Sequence, residues 1–152
     1  MIDELLRFLE IDDQTKSCGQ KLWQVLAPRA DAIIAEFYRK VQHGQINSHV
    51  TDAAIERLKQ RQKDHWAALF ASQFGDDYAN SIRRVGIRHR EVNLDLAWYV
   101  GGYAVIKIEF VNVIIQSDLP IATKGHLIKT LDKYVAFDMA LALSSYGATI
   151  VD

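Results

Sequence analysis

The chain has 152 residues, of which 49% are hydrophobic and 24% charged, a composition that suits one compact domain with a core large enough to enclose a ligand. Its 18 basic and 19 acidic residues leave a formal net charge of −1, so no basic excess favours nucleic acid and no acidic tail favours a charged partner. Cys18 is the only cysteine, which excludes an intramolecular disulfide framework and suits a reducing cytoplasm.

The N-terminal residues and the most apolar stretch both favour a soluble protein. The first ten residues are amphipathic and acidic, without the basic leader and long apolar core of a secretion signal. The apolar stretch 97–115 is interrupted by Lys107, Glu109 and Asn112, which favours a core helix over a membrane span. We therefore expect a cytoplasmic protein with no membrane and no nucleic-acid partner.

The spacing of apolar residues and helix breakers predicts an all-α protein. Pro28 and Pro120 both lie where a helix could begin, and no strand-like alternation with hairpin turns occurs. Thr51 or Asp52 is expected to cap a long helix that Gly75 ends. In chain order, helices are predicted over residues 2–9, 13–26, 28–42, 52–74, 77–88, 95–116 and 120–150.

The last two predicted helices carry apolar residues around much of their circumference. A helix that is hydrophobic on more than one face needs more than one partner surface. One face can pack on the core, and the other can meet a copy of itself across a two-fold axis. We therefore expect a homodimer through these two helices; the alternative is that both simply cross the centre of one fold.

The segment 84–103 carries a single histidine, His89, at the end of a predicted helix that also contains Val85. The aromatic pair Trp98 and Tyr99 follows after a short connection. A neutral imidazole in an apolar wall is a good axial ligand for haem iron. A single histidine at such a position is also typical of a surface residue or a satisfied core residue.

Three segments in order carry a resemblance to a known family. They are IIAEFYRKV at 33–41, IERLKQ at 55–60, and the His89 segment with its Trp-Tyr pair. Together they resemble the globin domain of globin-coupled sensors, the bacterial haem-based gas sensors, over about residues 22–146. The resemblance implies a globin fold with an extra N-terminal helix. It also implies haem b as cofactor, and a sensor domain spanning 1–152 that forms the N-terminal part of a longer signalling protein.

The resemblance also implies roles for individual residues. His89 would be the proximal iron ligand, and Tyr38 the distal residue that donates a hydrogen bond to bound oxygen. Leu58 would be an apolar residue of the distal pocket that keeps water out. Trp98 and Tyr99 complete the expected cofactor-binding set, with Tyr99 close to the proximal histidine.

The chain departs from the family pattern at three positions. Asn93 and Leu96 stand where Gly and Pro are frequent in the connection after the histidine. Asn tolerates a left-handed conformation, so the turn can survive there. Arg61 stands where some members carry a hydroxyl group that contacts the ligand, and it either reaches a haem propionate or is solvated.

Two more residues have competing interpretations. His65 lies two helical turns after Leu58, so it either competes as a sixth iron ligand or lies at the pocket edge, packed against Trp66. Tyr38 is either the distal donor or, as is usual for an aromatic residue on an amphipathic helix, part of the core; Phe37 lies beside it, and we expect only one of these two rings to face inward.

The expected function is that of a haem-based sensor that binds O2, CO or NO. The signal would pass through the last two helices to an output module such as a diguanylate cyclase, a histidine kinase or a chemotaxis domain, and the globin domain itself is not expected to be an enzyme. One alternative is a haem-free globin-like interaction module in stress signalling, against which the presence of Tyr38, Leu58 and His89 together argues. Another is a haem dioxygenase or peroxidase-like globin, which would need a distal acid–base group and an electron donor.

Overall fold

The computed structural model describes residues 2–43, 51–91 and 95–147, and the side chains of 89–91 and 145–147 lie outside this description. All regular secondary structure in these ranges is helical, as predicted. The helices are α1 (Ile2–Phe8), α2 (Asp13–His43), α3 (Asp52–Ala71), α4 (Asp76–Glu91), α5 (Leu96–Gln116) and α6 (Ile121–Gly147).

The prediction that Pro28 begins a helix is wrong, because α2 runs through it without interruption. A proline inside a helix removes one backbone hydrogen bond and leaves the carbonyl four residues earlier without its partner. That carbonyl belongs to Gln24, and both Gln24 and Pro28 are exposed, so water can satisfy it. On the opposite side Leu22, Leu26 and Ala30 are fully buried and hold the two halves of the helix on the same core.

The predicted cap at the start of α3 is confirmed, whereas the predicted end is wrong. The Thr51 side chain accepts a hydrogen bond from the backbone N–H three residues on, at 3.2 Å. The helix ends at Ala71, earlier than expected, and the Ser72 hydroxyl accepts a hydrogen bond from the Phe74 N–H at 2.7 Å. Phe74, with φ 59°, takes a left-handed conformation, next to the Gly75 that was predicted to end the helix. Burial of the Phe74 ring stabilises this unusual backbone position.

The remaining helix ends lie close to their predicted positions. Asp95 caps α5, because its carboxylate accepts a hydrogen bond from the Ala97 N–H at 2.9 Å. α6 begins at the residue after Pro120. α4 continues to Glu91, beyond its predicted end, and residues 92–94 of the predicted connection lie outside the described residues.

The core lies where α2 and α6 meet the other long helices. α2 packs on α3, α5 and α6, and α6 also packs on α4 and α5. Aromatic rings fill the space between α3, α4 and α6: Phe70 stacks on Tyr134 at 5.7 Å between centroids, and Phe74 contacts Phe137 edge-on at 4.9 Å. The largest fully buried side chains are Trp66, Tyr134, Phe70, Phe110, Phe137, Leu22, Leu26, Ile34, Leu69, Ile82, Ile114 and Leu131.

The two C-terminal helices differ in how much apolar surface they leave outside the core. The apolar residues of α6 are mostly buried within this chain. α5 is long and apolar enough to cross a membrane by length and composition alone, and only 28% of its most apolar window is buried here. The second apolar face that we expected on both helices is therefore found mainly on α5, at Trp98, Val100, Val105, Ile108 and Ile115.

Candidate functional site

The predicted site residues come from four different helices. Tyr38 lies on α2, Leu58 on α3, His89 on α4 and Tyr99 on α5. α3 packs mainly on α2, whereas α4 packs mainly on α6, and the described backbones of α3 and α4 approach each other closely at few positions or none. The helices that carry the predicted distal and proximal residues are therefore held by different neighbours.

The Tyr38 side chain is half-buried, and its hydroxyl group has no hydrogen-bond partner among the described residues. Its ring packs against the core. Burial raises the pKa of Tyr38 to about 12, so the phenol stays protonated at neutral pH. The structure thus presents a hydrogen-bond donor that a bound ligand can use.

Phe37 and Tyr38 are both half-buried, so the expectation that only one of them faces inward is wrong. Their rings meet edge-on, with centroids 5.2 Å apart. Phe37 lies against Gly102 of α5, where a Cβ atom would stand 3.3 Å from the ring. The absence of a side chain at Gly102 lets α2 and α5 come close enough for both rings to be covered.

The other predicted residues differ in burial. Leu58 on α3 is half-buried, and Arg61, one turn later, is exposed. Tyr99 packs against the core and meets the Tyr103 ring edge-on at 6.1 Å. Trp98, next to it, is 51% exposed. The structure therefore brings Tyr99 toward the interior and leaves Trp98 on the surface.

The position of His89 is described for its backbone alone. It lies in the last turn of α4, which ends at Glu91, and its side chain lies outside the described residues. Its role as a proximal ligand stays a prediction. Of the other histidines, His43 and His126 are exposed, and His49 lies outside the described residues.

A buried carboxylate that we did not predict joins four helices. Asp138 of α6 is 2% exposed and accepts hydrogen bonds from the Tyr78 hydroxyl at 2.7 Å and the Tyr103 hydroxyl at 2.6 Å. His65 Nε2 lies 3.0 Å from Oδ2 and 3.1 Å from Oδ1 of the same carboxylate. The expectation that His65 packs against Trp66 or competes for iron missed this partner.

The opposite charges of Asp138 and His65 each stabilise the ionised form of the other side chain. Burial alone would raise the pKa of Asp138, but the charge of His65 and the hydrogen bonds from His65, Tyr103 and Tyr78 hold it below its usual value. Burial alone would lower the pKa of His65. The charge of Asp138 and its hydrogen bond outweigh the effect of burial, and the pKa of His65 is therefore raised. Burial and the neighbouring carboxylate raise the pKa of Tyr78 and Tyr103 far above neutrality. The cluster is therefore an ion pair with two phenol donors.

One signal in the sequence points to Asp138. It is the only acidic residue in the apolar run 134–143, and it shares helical spacing with Leu131, Val135 and Ala142, all of which are buried. A carboxylate on the buried face of a helix needs polar partners from other elements. The sequence does not show which partners these are, because they lie 73, 60 and 35 residues away.

Comparison with known proteins identifies the fold and the family. The chain superposes on the globin domain of the Geobacter sulfurreducens globin-coupled sensor with a TM-score of 0.86 and 16% identity, over 95% of this chain and 96% of that one. The globin domain of E. coli DosC matches at 19% identity over 95% of this chain and 98% of that one, with TM-scores of 0.80 for its ferric form and 0.79 for its ferrous form. At these identities the likeness establishes the globin fold, as predicted. The family model for Protoglobin matches residues 1–150, and the chain belongs to the protoglobin family.

Proposed function

We propose that this domain binds haem b and acts as a haem-based gas sensor for O2, CO or NO. The observation that carries the proposal is the Tyr38 phenol, which is half-buried, protonated and without a partner in the described chain. Membership of the protoglobin family and the likeness to sensor globin domains support it. The E. coli DosC domain in particular is known in ferric and ferrous forms.

We propose that a flat, largely apolar cofactor lies between α3 and α4, where apolar and aromatic side chains suit its chemistry. These two helices are packed on different neighbours, so a planar group can lie between them without breaking a helix–helix interface. Leu58 and Tyr99 are apolar or aromatic and half-buried, as expected of side chains that line such a group. When bound, haem iron supplies an open coordination position for a diatomic gas.

Each site residue has a separate task in this proposal. The His89 imidazole would hold the cofactor from α4. Tyr38 would donate a hydrogen bond from α2 to the bound gas. This bond would stabilise dioxygen more than carbon monoxide, because bound dioxygen carries more negative charge. Leu58 excludes water from the distal side. By the resemblance to sensor globins, Tyr99 would lie close to His89 and would sense its displacement.

The partner and output are also part of the proposal. The exposed apolar residues of α5 form a surface that a second copy of the chain can cover, so we propose a homodimer through α5 and α6. Ligand binding shifts such a dimer between two states if the ligand prefers one of them. We propose that residues 1–152 are the sensor domain of a longer protein and pass this change to an output module such as a diguanylate cyclase, a kinase or a chemotaxis domain.

The ultraviolet–visible spectrum of the purified protein tests the proposal. It is recorded as isolated, after reduction, and after exposure to O2 and to CO. We expect a strong Soret band within about 400–430 nm, the usual range for protein-bound haem, that shifts with each gas. Absence of this band even after reconstitution with hemin would favour the haem-free interaction module. Rapid turnover of NO with a reductant would favour the enzyme instead.

A further inference from the structure

Asp138 connects α3 and α4 through hydrogen bonds to a side chain of each helix. His65 of α3 and Tyr78 of α4 both bond its carboxylate, although the two helices make little direct backbone contact in the described residues. Tyr103 of α5 bonds the same carboxylate from a third direction. We propose that Asp138 is a positioning residue that sets the separation of α3 and α4, and so the width of the site between them.

The connection can act on the site because helices are stiff. His65 lies seven residues after Leu58 on α3, a distance of roughly 10 Å along the helix. Tyr78 lies eleven residues before His89 on α4, roughly 16 Å along that helix. A shift at Asp138 therefore moves Leu58 and His89 relative to each other, without Asp138 touching the cofactor.

The chemistry of the cluster makes this connection strong and specific. A carboxylate offers about four lone-pair sites, and three helices use them here. Hydrogen bonds to an ionised acceptor are about twice as strong as neutral ones. The titratable side chains around the carboxylate are His65 from α3, Tyr78 from α4, and Tyr103 with the nearby Tyr99 from α5. His65 is the one that changes its charge near neutral pH.

Tyr134 supplies a matched control on α6 itself. Its hydroxyl is buried and has no hydrogen-bond partner in the described structure. Replacing Tyr134 with Phe therefore removes a buried hydroxyl without removing a connection between helices. Tyr78→Phe removes the same group and one connection, and neither change alters the size of the ring.

Distances between spin labels on α3 and α4 test the proposal directly. Labels are placed at Arg57 and Arg84, which are both exposed, in a Cys18→Ala background. The distance distribution is measured by electron–electron double resonance in the protein as isolated, for the parent and for Tyr78→Phe, His65→Gln and Tyr134→Phe. We expect Tyr78→Phe and His65→Gln to shift or broaden the distribution and Tyr134→Phe to leave it unchanged.

A pH profile supplies a measurement that a general loss of stability would not change. If Asp138 acts through His65, CO affinity of the haem-loaded protein changes several-fold from about pH 5 to about pH 9, and His65→Gln removes this change while Tyr134→Phe keeps it. Unchanged distances in Tyr78→Phe, or equal changes in Tyr134→Phe, would overturn the proposal, and so would a pH profile that persists in His65→Gln.

The proposal rests on the proposed function only for its effect on ligands. A protein without haem would refute gas binding, and the distances would still decide the role of Asp138.

Discussion

Tyr38 and Tyr134 both have hydroxyl groups without hydrogen-bond partners in the described part of the chain, and burial raises the pKa of each to about 12. Their surroundings differ. Tyr134 lies between Phe70 and Phe74 in the aromatic core, where its ring fills space. Tyr38 lies at the margin of the core on α2 and is half-buried. Residue type alone does not distinguish these two tyrosines.

Replacing Tyr38 with Phe should speed O2 release about tenfold and change CO release little. The physical reason is the loss of a hydrogen bond to a partly charged ligand, worth about 1.5 kcal/mol. Stopped-flow measurement of both dissociation rates checks it, with Tyr134→Phe as the control for loss of a buried hydroxyl. An equal increase in the dissociation rates of O2 and CO would show that Tyr38 is not the donor.

Replacing His89 with Ala should remove most of the bound haem, or leave haem whose normal spectrum returns when imidazole is added. We expect this because His89 is the one residue proposed to supply a nitrogen ligand to the haem iron. Haem content per chain and the reduced spectrum check the result. His126→Ala, on the exposed surface of α6, is the control and should bind haem normally. A normal spectrum for His89→Ala would exclude it as the ligand.

Replacing His65 with Leu should destabilise the protein by about 3–5 kcal/mol near neutral pH, since it leaves the buried Asp138 carboxylate without its cation. Because the pKa of His65 is raised in the folded protein, its contribution to the free energy of unfolding is complete below the ordinary pKa of 6.5. That contribution is lost as the pH rises through the folded-state pKa. Because the pKa of Asp138 is lowered in the folded protein, its contribution to the free energy of unfolding is present above the ordinary pKa of 3.8. That contribution is lost as the pH falls through the folded-state pKa.

Urea unfolding at a series of pH values measures this dependence. The parent protein should lose stability on the alkaline side of the His65 titration, and His65→Leu should not show that decline. His126→Gln serves as the control, because its side chain is exposed and should leave the parent profile unchanged. An alkaline decline of equal size in His65→Leu would contradict the ion pair as its cause.

At the scale of the helices, the contact between α2 and α6 depends on Gly19. A Cβ atom at Gly19 would lie 2.5 Å from the Tyr134 hydroxyl and 2.6 Å from its ring. Phe70 and Phe74 hold that ring in place, so it cannot move aside without disturbing the aromatic core. The close approach of the two helices therefore requires glycine at this position.

Gly19→Ala should lower the free energy of unfolding by about 1–3 kcal/mol, as overpacking of a core does. Gly125→Ala in α6 should instead raise it by up to about 1 kcal/mol, because alanine favours helix and no atom lies within 4 Å of the new Cβ. Chemical denaturation measures the free energy of unfolding of both variants and so checks both expectations. A stabilised Gly19→Ala variant would show that the helices separate easily.

At the scale of the whole molecule, the exposed apolar side of α5 should determine the oligomeric state. Ile108 is 56% exposed in the middle of that helix, so Ile108→Lys should convert a dimer to a monomer in sedimentation equilibrium. Phe8→Lys, at a more exposed apolar residue at the end of α1, is the control for adding a charge to an apolar site. A dimer that persists in Ile108→Lys would place the interface elsewhere.

Local features of this protein were predictable from the sequence because they depend on near neighbours. The helical class, the cap at Thr51 and most helix ends depend on residues within one turn. The resemblance of the His89 and Tyr38 segments to sensor globins also correctly predicted the globin fold. The predicted ligand roles of Tyr38, Leu58 and His89 stay predictions, to be decided by the variants above.

Other features depended on contacts between distant parts of the chain. α2 continues through Pro28 because its buried face lies on the same core on both sides of the proline. Phe74, not Gly75, takes the left-handed conformation, since its ring is held in the aromatic core. Asp138 is ionised because packing brings His65, Tyr78 and Tyr103 to it from three other helices. Helix propensity and capping act over a single turn, whereas burial and its hydrogen bonds are decided only when helices far apart in sequence come together.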